Sequence, residues 1–255
     1  MTRNVIGFAL VALAASSLTR PVFAQAVDSA GARAEVTWAI SVANKGISTI
    51  PTSVLDKPTA TVDMAIRRGG LSVDPQFRFG LDGTPWSLLL RGRYRLVDRE
   101  RLGVSLGAHP VLSFRTATVS VNGIAREVVV AQHFAAAELA PSYALSRNVT
   151  VGTYYLYRRG LDADVTRHTH LVAARVGLAN LRLPARFVAR LDPQVYYLRL
   201  DARDGVYLNS RVTLAKRGLP VSISEVVNRS IRTNIARGRP FLWNVSLNYA
   251  PRLTH

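Results

Sequence analysis

"PWSLLLRGRYRLV", residues 85–97, decides the fold. Taken in steps of two, one face carries Trp86, Leu88, Leu90, Gly92, Tyr94 and Leu96. The other carries Ser87, Leu89, Arg91, Arg93 and Arg95. A period of two marks a strand with two unlike faces. In a soluble sheet the apolar face packs into a core and the arginines meet water. In a membrane-spanning barrel the apolar face meets lipid and the arginines line the interior. A one-residue slip would then put three guanidinium groups into hydrocarbon. At about 2–4 kcal/mol each near the midplane, that costs on the order of 6–12 kcal/mol, so the register is firmly specified.

The same division recurs along the chain. Trp243, Val245, Leu247 and Tyr249 oppose Asn244, Ser246 and Asn248. Val206, Leu208, Ser210, Val212 and Leu214 oppose Tyr207, Asn209, Arg211 and Thr213. Val149, Val151, Thr153, Tyr155 and Tyr157 oppose Thr150, Gly152, Tyr154, Leu156 and Arg158. Trp and Tyr cluster near strand ends on the apolar face, as in an interfacial girdle. That placement favours apolar-out over a soluble lipocalin-like barrel or sandwich.

Alternation and turn signals such as Gly69-Gly70, Asp82-Gly83, Asn122-Gly123 and Asp204-Gly205 predict twelve strands. They run near 35–44, 60–67, 71–81, 85–97, 101–118, 126–145, 149–159, 166–179, 186–200, 205–216, 220–231 and 241–250. Longer connections, 45–59, 160–165 and 232–240 among them, alternate with short turns, so they would gather at one end. The expected fold class is all-β: a closed antiparallel transmembrane β-barrel of about 12 strands, in one domain over 25–255.

Residues 1–24 read as a cleaved signal peptide: Arg3, an apolar run from Val5 to Leu18, then Val22-Phe23-Ala24. No later segment approaches the roughly 18 apolar residues of a membrane helix, so a barrel is the remaining way to span. The absence of cysteine excludes disulfides and thiolate metal sites. The net charge is +17, carried by arginine far more than by lysine, of which only Lys45, Lys57 and Lys216 occur. An exported chain without a recognition helix gives no reason to invoke nucleic acid. Anionic lipid, lipopolysaccharide and small anionic solutes fit the charge better.

The signal peptide, the strand pattern and the ending "FLWNVSLNYAPRLTH" resemble small outer-membrane β-barrel proteins of Gram-negative bacteria. The resemblance covers nearly the whole mature chain and is architectural. It departs in one respect: six residues follow Tyr249, where such barrels usually end on an aromatic residue. Outer-membrane location is what it implies, and by analogy with acidic-oligosaccharide porins an arginine track would favour anions.

Expected lumen residues are Arg78, Arg91, Arg93, Arg95, Arg115, Arg158, Arg175, Arg190 and Arg211, with Asp74, Glu138 and Asp192 as the acids. Surplus buried guanidinium needs water or bound anions, which argues for a hydrated interior. A tube of this size lies between filled and open, so a narrow anion pore and an Arg–acid plug both remain open.

Pro75 and Pro193 sit in matching Asp-Pro-Gln tripeptides on the outward face, where a missing ladder donor predicts a bulge. Asp162, Asp164, His168 and His170 alternate but match no metal signature. His109 and Ser113 share a face, yet four residues along a strand separate them by about 13 Å, too far for a catalytic pair. No catalytic residue, metal site or cofactor is assigned, and oligomeric state is left open.

Overall fold

The computed structural model describes residues 34–121, 124–236 and 239–251. The expected leader, its expected cleavage site and the turn expected at Asn122-Gly123 lie outside the described residues.

Twelve antiparallel strands follow in chain order: β1 (Glu35–Ala43), β2 (Thr59–Arg68), β3 (Leu71–Gly80), β4 (Pro85–Asp98), β5 (Leu102–Val121), β6 (Ile124–Ala144), β7 (Val149–Gly160), β8 (His168–Arg182), β9 (Phe187–Leu200), β10 (Arg203–Lys216), β11 (Val221–Thr233) and β12 (Phe241–Tyr249). Each pairs with its sequence neighbours, and β1 closes on β12 from Ile40 opposite Tyr249 to Ala43 opposite Ser246. The sheet has no free lateral edge, which removes the usual hazard of unpaired strands. Short turns gather at one end of the tube, helped by Gly69 at φ 56° and Gly218 at φ 93°. The segments 44–58, 161–167, 234–236 and 239–240 gather at the other, called here the loop end, together with the short 81–84 and 201–202 turns.

The faces divide as the alternation expects. Leu90, Leu96, Leu208, Leu247 and Trp243 are exposed on the outside, at 47, 52, 45, 56 and 43%. Asp74, Glu138, Arg158, Asn228 and Asn244 are buried on the inside. A tube with aliphatic skin and ionic contents inverts the soluble pattern.

Two features depart from the sequence reading and a third extends it. First, the in-strand prolines do not bulge. At Pro75 the β2–β3 ladder lapses between the Asp63–Gln76 and Ile66–Val73 rungs without changing register. Pro110, Pro141 and Pro193 interrupt the β4–β5, β6–β7 and β8–β9 ladders in the same way. Each proline faces outward and loses its donor to one neighbour only, so the other ladder holds the register. Second, a bulge does occur in the β3–β4 pair, at Arg78/Phe79, opposite Pro85. It turns Trp86 inward, contrary to the simple alternation. The indole is 5% exposed and Arg78 Cζ lies 5.0 Å over its ring. Re-aiming one side chain is what a bulge does locally. Third, β5 and β6 outrun their neighbours. The last β4–β5 rung is Ser87–Ser113 and the last β6–β7 rung is Phe134–Gly160. Beyond them the hairpin projects from the loop end as a two-stranded ribbon.

Candidate functional site

The inward face of the tube falls into an ionic middle and an apolar cap. The middle is built from β3, β4, β6, β7 and β8. Arg93 reaches across β5 to Glu138, Nε to Oε1 at 2.7 Å, and also sits 3.0 Å from Asp74 Oδ2. Arg91 Nε lies 3.6 Å from Glu138 Oε2. Tyr154 donates its hydroxyl to that same oxygen at 2.7 Å. Arg175 lies 5.5 Å over the Tyr154 ring.

Glu138 can span a strand because Gly107 lies beneath it. A Cβ at that position would come within 2.7 Å of Glu138 Cγ. Glycine here is a requirement of side-chain crossing rather than of backbone angle.

The far wall adds a second group. Arg190 Nε donates to Asp192 Oδ2 at 2.6 Å. Gln194 donates to Asn209 at 3.0 Å. Asp63 accepts from Gln76 and stands within electrostatic reach of Arg78, Arg91 and Arg211. Arg175 and Arg211 are exposed although they point inward, so water reaches the middle of the lumen. Among the described residues, neither forms an ion pair with a carboxylate. Buried Asp74 Oδ1, Arg91 Nε, His109 Nδ1 and Gln76 Oε1 find no protein hydrogen-bond partner among the described residues. Buried polar atoms without protein partners call for water.

The loop end is capped from inside. Ile50 of the 44–58 loop and Ile235 of the 234–240 loop pack onto Leu171, Ala173, Tyr196, Leu198, Leu200 and Tyr207. Tyr196 and Tyr207 stack at 5.0 Å with an interplanar angle of 12°. Asn228 donates to the Tyr196 hydroxyl at 2.9 Å, so the polar tip is satisfied within the cap. Trp86 fixes the first loop, donating to Ser53 O at 3.1 Å. Asp56 ties the two loops, pairing with Arg239 and, at 3.5 Å, with Lys45. The Arg239 hydrogen bond, with the nearby charges of Arg239 and Lys45, holds the Asp56 carboxyl below the usual carboxylate range.

Of the expected lumen residues, Arg78, Arg91, Arg93, Arg158, Arg175, Arg190, Arg211, Asp74, Glu138 and Asp192 lie on the inward face within the barrel wall. Arg158 is 8% exposed and stacks on Phe134 at 4.1 Å, close to the loop end. Arg95 bends to Asp98 at the turn end. Arg115 continues the inward face of β5, but past the last rung shared with β4, so it stands on the projecting ribbon.

Asp63 joins the lumen without having been singled out, Tyr154 sits on the inward face where the alternation put it, and Trp86 joins against the expectation that it faces outward. Asp63 was legible in the Thr61–Asp63–Ala65 alternation of β2; Trp86 was not, because the bulge that turns it is invisible to a period of two. Asp162 accepts from the backbone N–H of His133 at 2.6 Å, while His168 and His170 lie on the outer wall against Tyr157 and Tyr155. The described residues therefore assemble no metal cluster from that stretch.

No protein-family model and no curated protein matches the sequence. Solved structures do match. The KdgM porin in complex with disordered oligogalacturonate aligns at a TM-score of 0.53, with 7% identity over 86% of this chain and all of that one. The NanC porin aligns at 0.48, with 12% identity over 84% of this chain and 97% of that one. The β-domain of the Bordetella autotransporter BrkA aligns at 0.43, with 11% identity over 85% and 98%. The chain is thus similar in fold to outer-membrane β-barrels, with the first of these porins as the structural match that bears on its architecture.

Proposed function

We propose that the chain is an outer-membrane β-barrel of a Gram-negative bacterium that admits or binds small anionic solutes in a narrow, arginine-lined lumen. The carrying observation is the pair Arg175 and Arg211: inward-pointing, water-accessible and outside any ion pair among the described residues. Two such guanidiniums in a low-dielectric tube concentrate anions and repel cations. An exterior of exposed leucine, valine and tryptophan suits hydrocarbon and leaves a soluble barrel without a reason for its skin. The fold shared with a porin that holds an oligogalacturonate supports the same class of ligand.

The test is planar-bilayer conductance under a salt gradient. The reversal potential of the natural chain is expected on the anion-selective side. Arg175→Gln with Arg211→Gln should shift it toward zero while the barrel still assembles.

The apolar cap favours a second reading, a barrel closed at its loop end that acts through its outer surface. That reading expects no conductance until the cap is removed. A Ser–His pair in the wall would need its two side chains within hydrogen-bond reach. His109 is buried on the inward face and Ser113 stands two inward positions beyond it, as the spacing expects.

A further inference from the structure

The outer wall is not uniform at the loop end. On β1 to β4 its outward residues there are Val42, Phe77, Phe79 and Leu88, with no charge. On β7 to β11 the same zone carries Arg159, Arg199 and Arg232, with Arg229 at the next outward position down β11. Arg159 lies opposite His168, Arg199 opposite His170, and Arg232 opposite Val206. All three arginines are exposed, and among the described residues none is ion-paired. Arg199 spends one donor on the Asp201 carbonyl at 2.9 Å.

Aromatic side chains underlie the cations. Tyr157 stacks on His168 at 6.1 Å, and its hydroxyl lies 2.9 Å from His168 Nδ1. Tyr155 Oη lies 3.0 Å from His170 Nδ1. The acids nearby are already engaged. Asp204 accepts from Tyr197 at 3.1 Å, and Asp201 from the backbone of Arg167 and His168 at 3.0 and 2.7 Å.

We infer that this patch is a docking site for the phosphorylated headgroup of a glycolipid in the outer leaflet. The inference rests on the membrane placement proposed above. A Tyr-rich girdle sits where hydrocarbon gives way to headgroups, so guanidiniums beside it meet lipid phosphate. Arginine suits phosphate because its planar fork makes two parallel, charge-assisted hydrogen bonds. Arg159, Arg199 and Arg232 stand on alternate strands, each about 10 Å from the next at ordinary strand spacing. That spread suits a headgroup with two phosphates better than one. The acyl chains would lie down the wall over the exposed Val172 and Val195.

The experiment is native mass spectrometry of the protein released from nanodiscs containing a bis-phosphorylated disaccharide lipid. Retention of that lipid is expected, and loss of it when the dephosphorylated form is supplied. Arg159→Gln, Arg199→Gln and Arg232→Gln together should weaken retention by at least about tenfold, since one charged hydrogen bond to phosphate carries about that factor. Arg68→Gln with Arg217→Gln at the turn end should leave retention unchanged. Equal retention of the dephosphorylated lipid, equal retention by the triple variant, or full displacement by inorganic phosphate would each overturn the site. Heat-modifiable migration of each variant reports the barrel separately, so failure to insert is distinguishable from failure to bind lipid.

Discussion

At the scale of single residues, the interior is held by a few crossings. Glu138 is 4% exposed and satisfied by Arg93, Arg91 and Tyr154 together. Removing a partner from a buried ion pair leaves an uncompensated charge, so Arg93→Met should destabilise the barrel by about 3 kcal/mol. Arg95→Met should cost about 0–1 kcal/mol, because Arg95 and Asp98 are 48 and 62% exposed. Urea unfolding in lipid vesicles, comparing the two variants, checks the difference. Gly107→Val should cost about 1–3 kcal/mol by the same assay, since its Cβ would sit 3.0 Å from the Gly92 carbonyl as well as on Glu138. The arginines on this face were legible in the sequence because their alternation leaves them one place to go. Their partners were less so: nothing in a strand pattern says that Glu138 reaches over β5 to β4.

At the scale of elements, the twelve strands were legible, and no strand end differs from its expected place by more than three residues. Alternation specifies strands well because each face has its own solvent. It says nothing about where a ladder lapses, and so the prolines were misread: losing one donor on an outward position breaks two rungs without adding a residue. The projecting β5–β6 ribbon shares no rungs with β4 beyond Ser113, nor with β7 before Phe134. Replacing residues 116–129 with an Asn-Gly turn should therefore leave barrel assembly intact by heat-modifiable gel migration. The cap depends on Trp86, so Trp86→Ala should expose the 44–58 loop to protease and raise conductance. Its ionic tie has a stated pH range. Asp56 titrates below its unfolded value, so the tie is fully present above the ordinary carboxylate pKa, near 4. It is lost as pH falls through the lowered folded value. A fluorophore on the loop should thus report no change from pH 8 to pH 5 and loosening only in stronger acid. The exposed setting of Asp56 also makes the tie sensitive to salt.

At the scale of the whole molecule, one sorting rule produces both the fold and the proposed function. Apolar side chains outside and guanidinium inside close the tube in lipid and give its lumen a positive field. The outline of this was legible in residues 85–97. The cap was not, because it is made by loops whose isoleucines carry no period, and inward residues such as Leu171 and Leu198 look lipid-facing until parity is fixed by neighbours. Parity is therefore the claim to test. The chain contains no cysteine, so single cysteines can be placed along β4 without a background. A bimane label at each position from 88 to 96, in vesicles of brominated lipid, reports which side chains touch acyl chains. Quenching is expected at 88, 90, 94 and 96 and absent at 91 and 93. Quenching at 91 and 93, with 88 and 90 dark to lipid, would contradict the account.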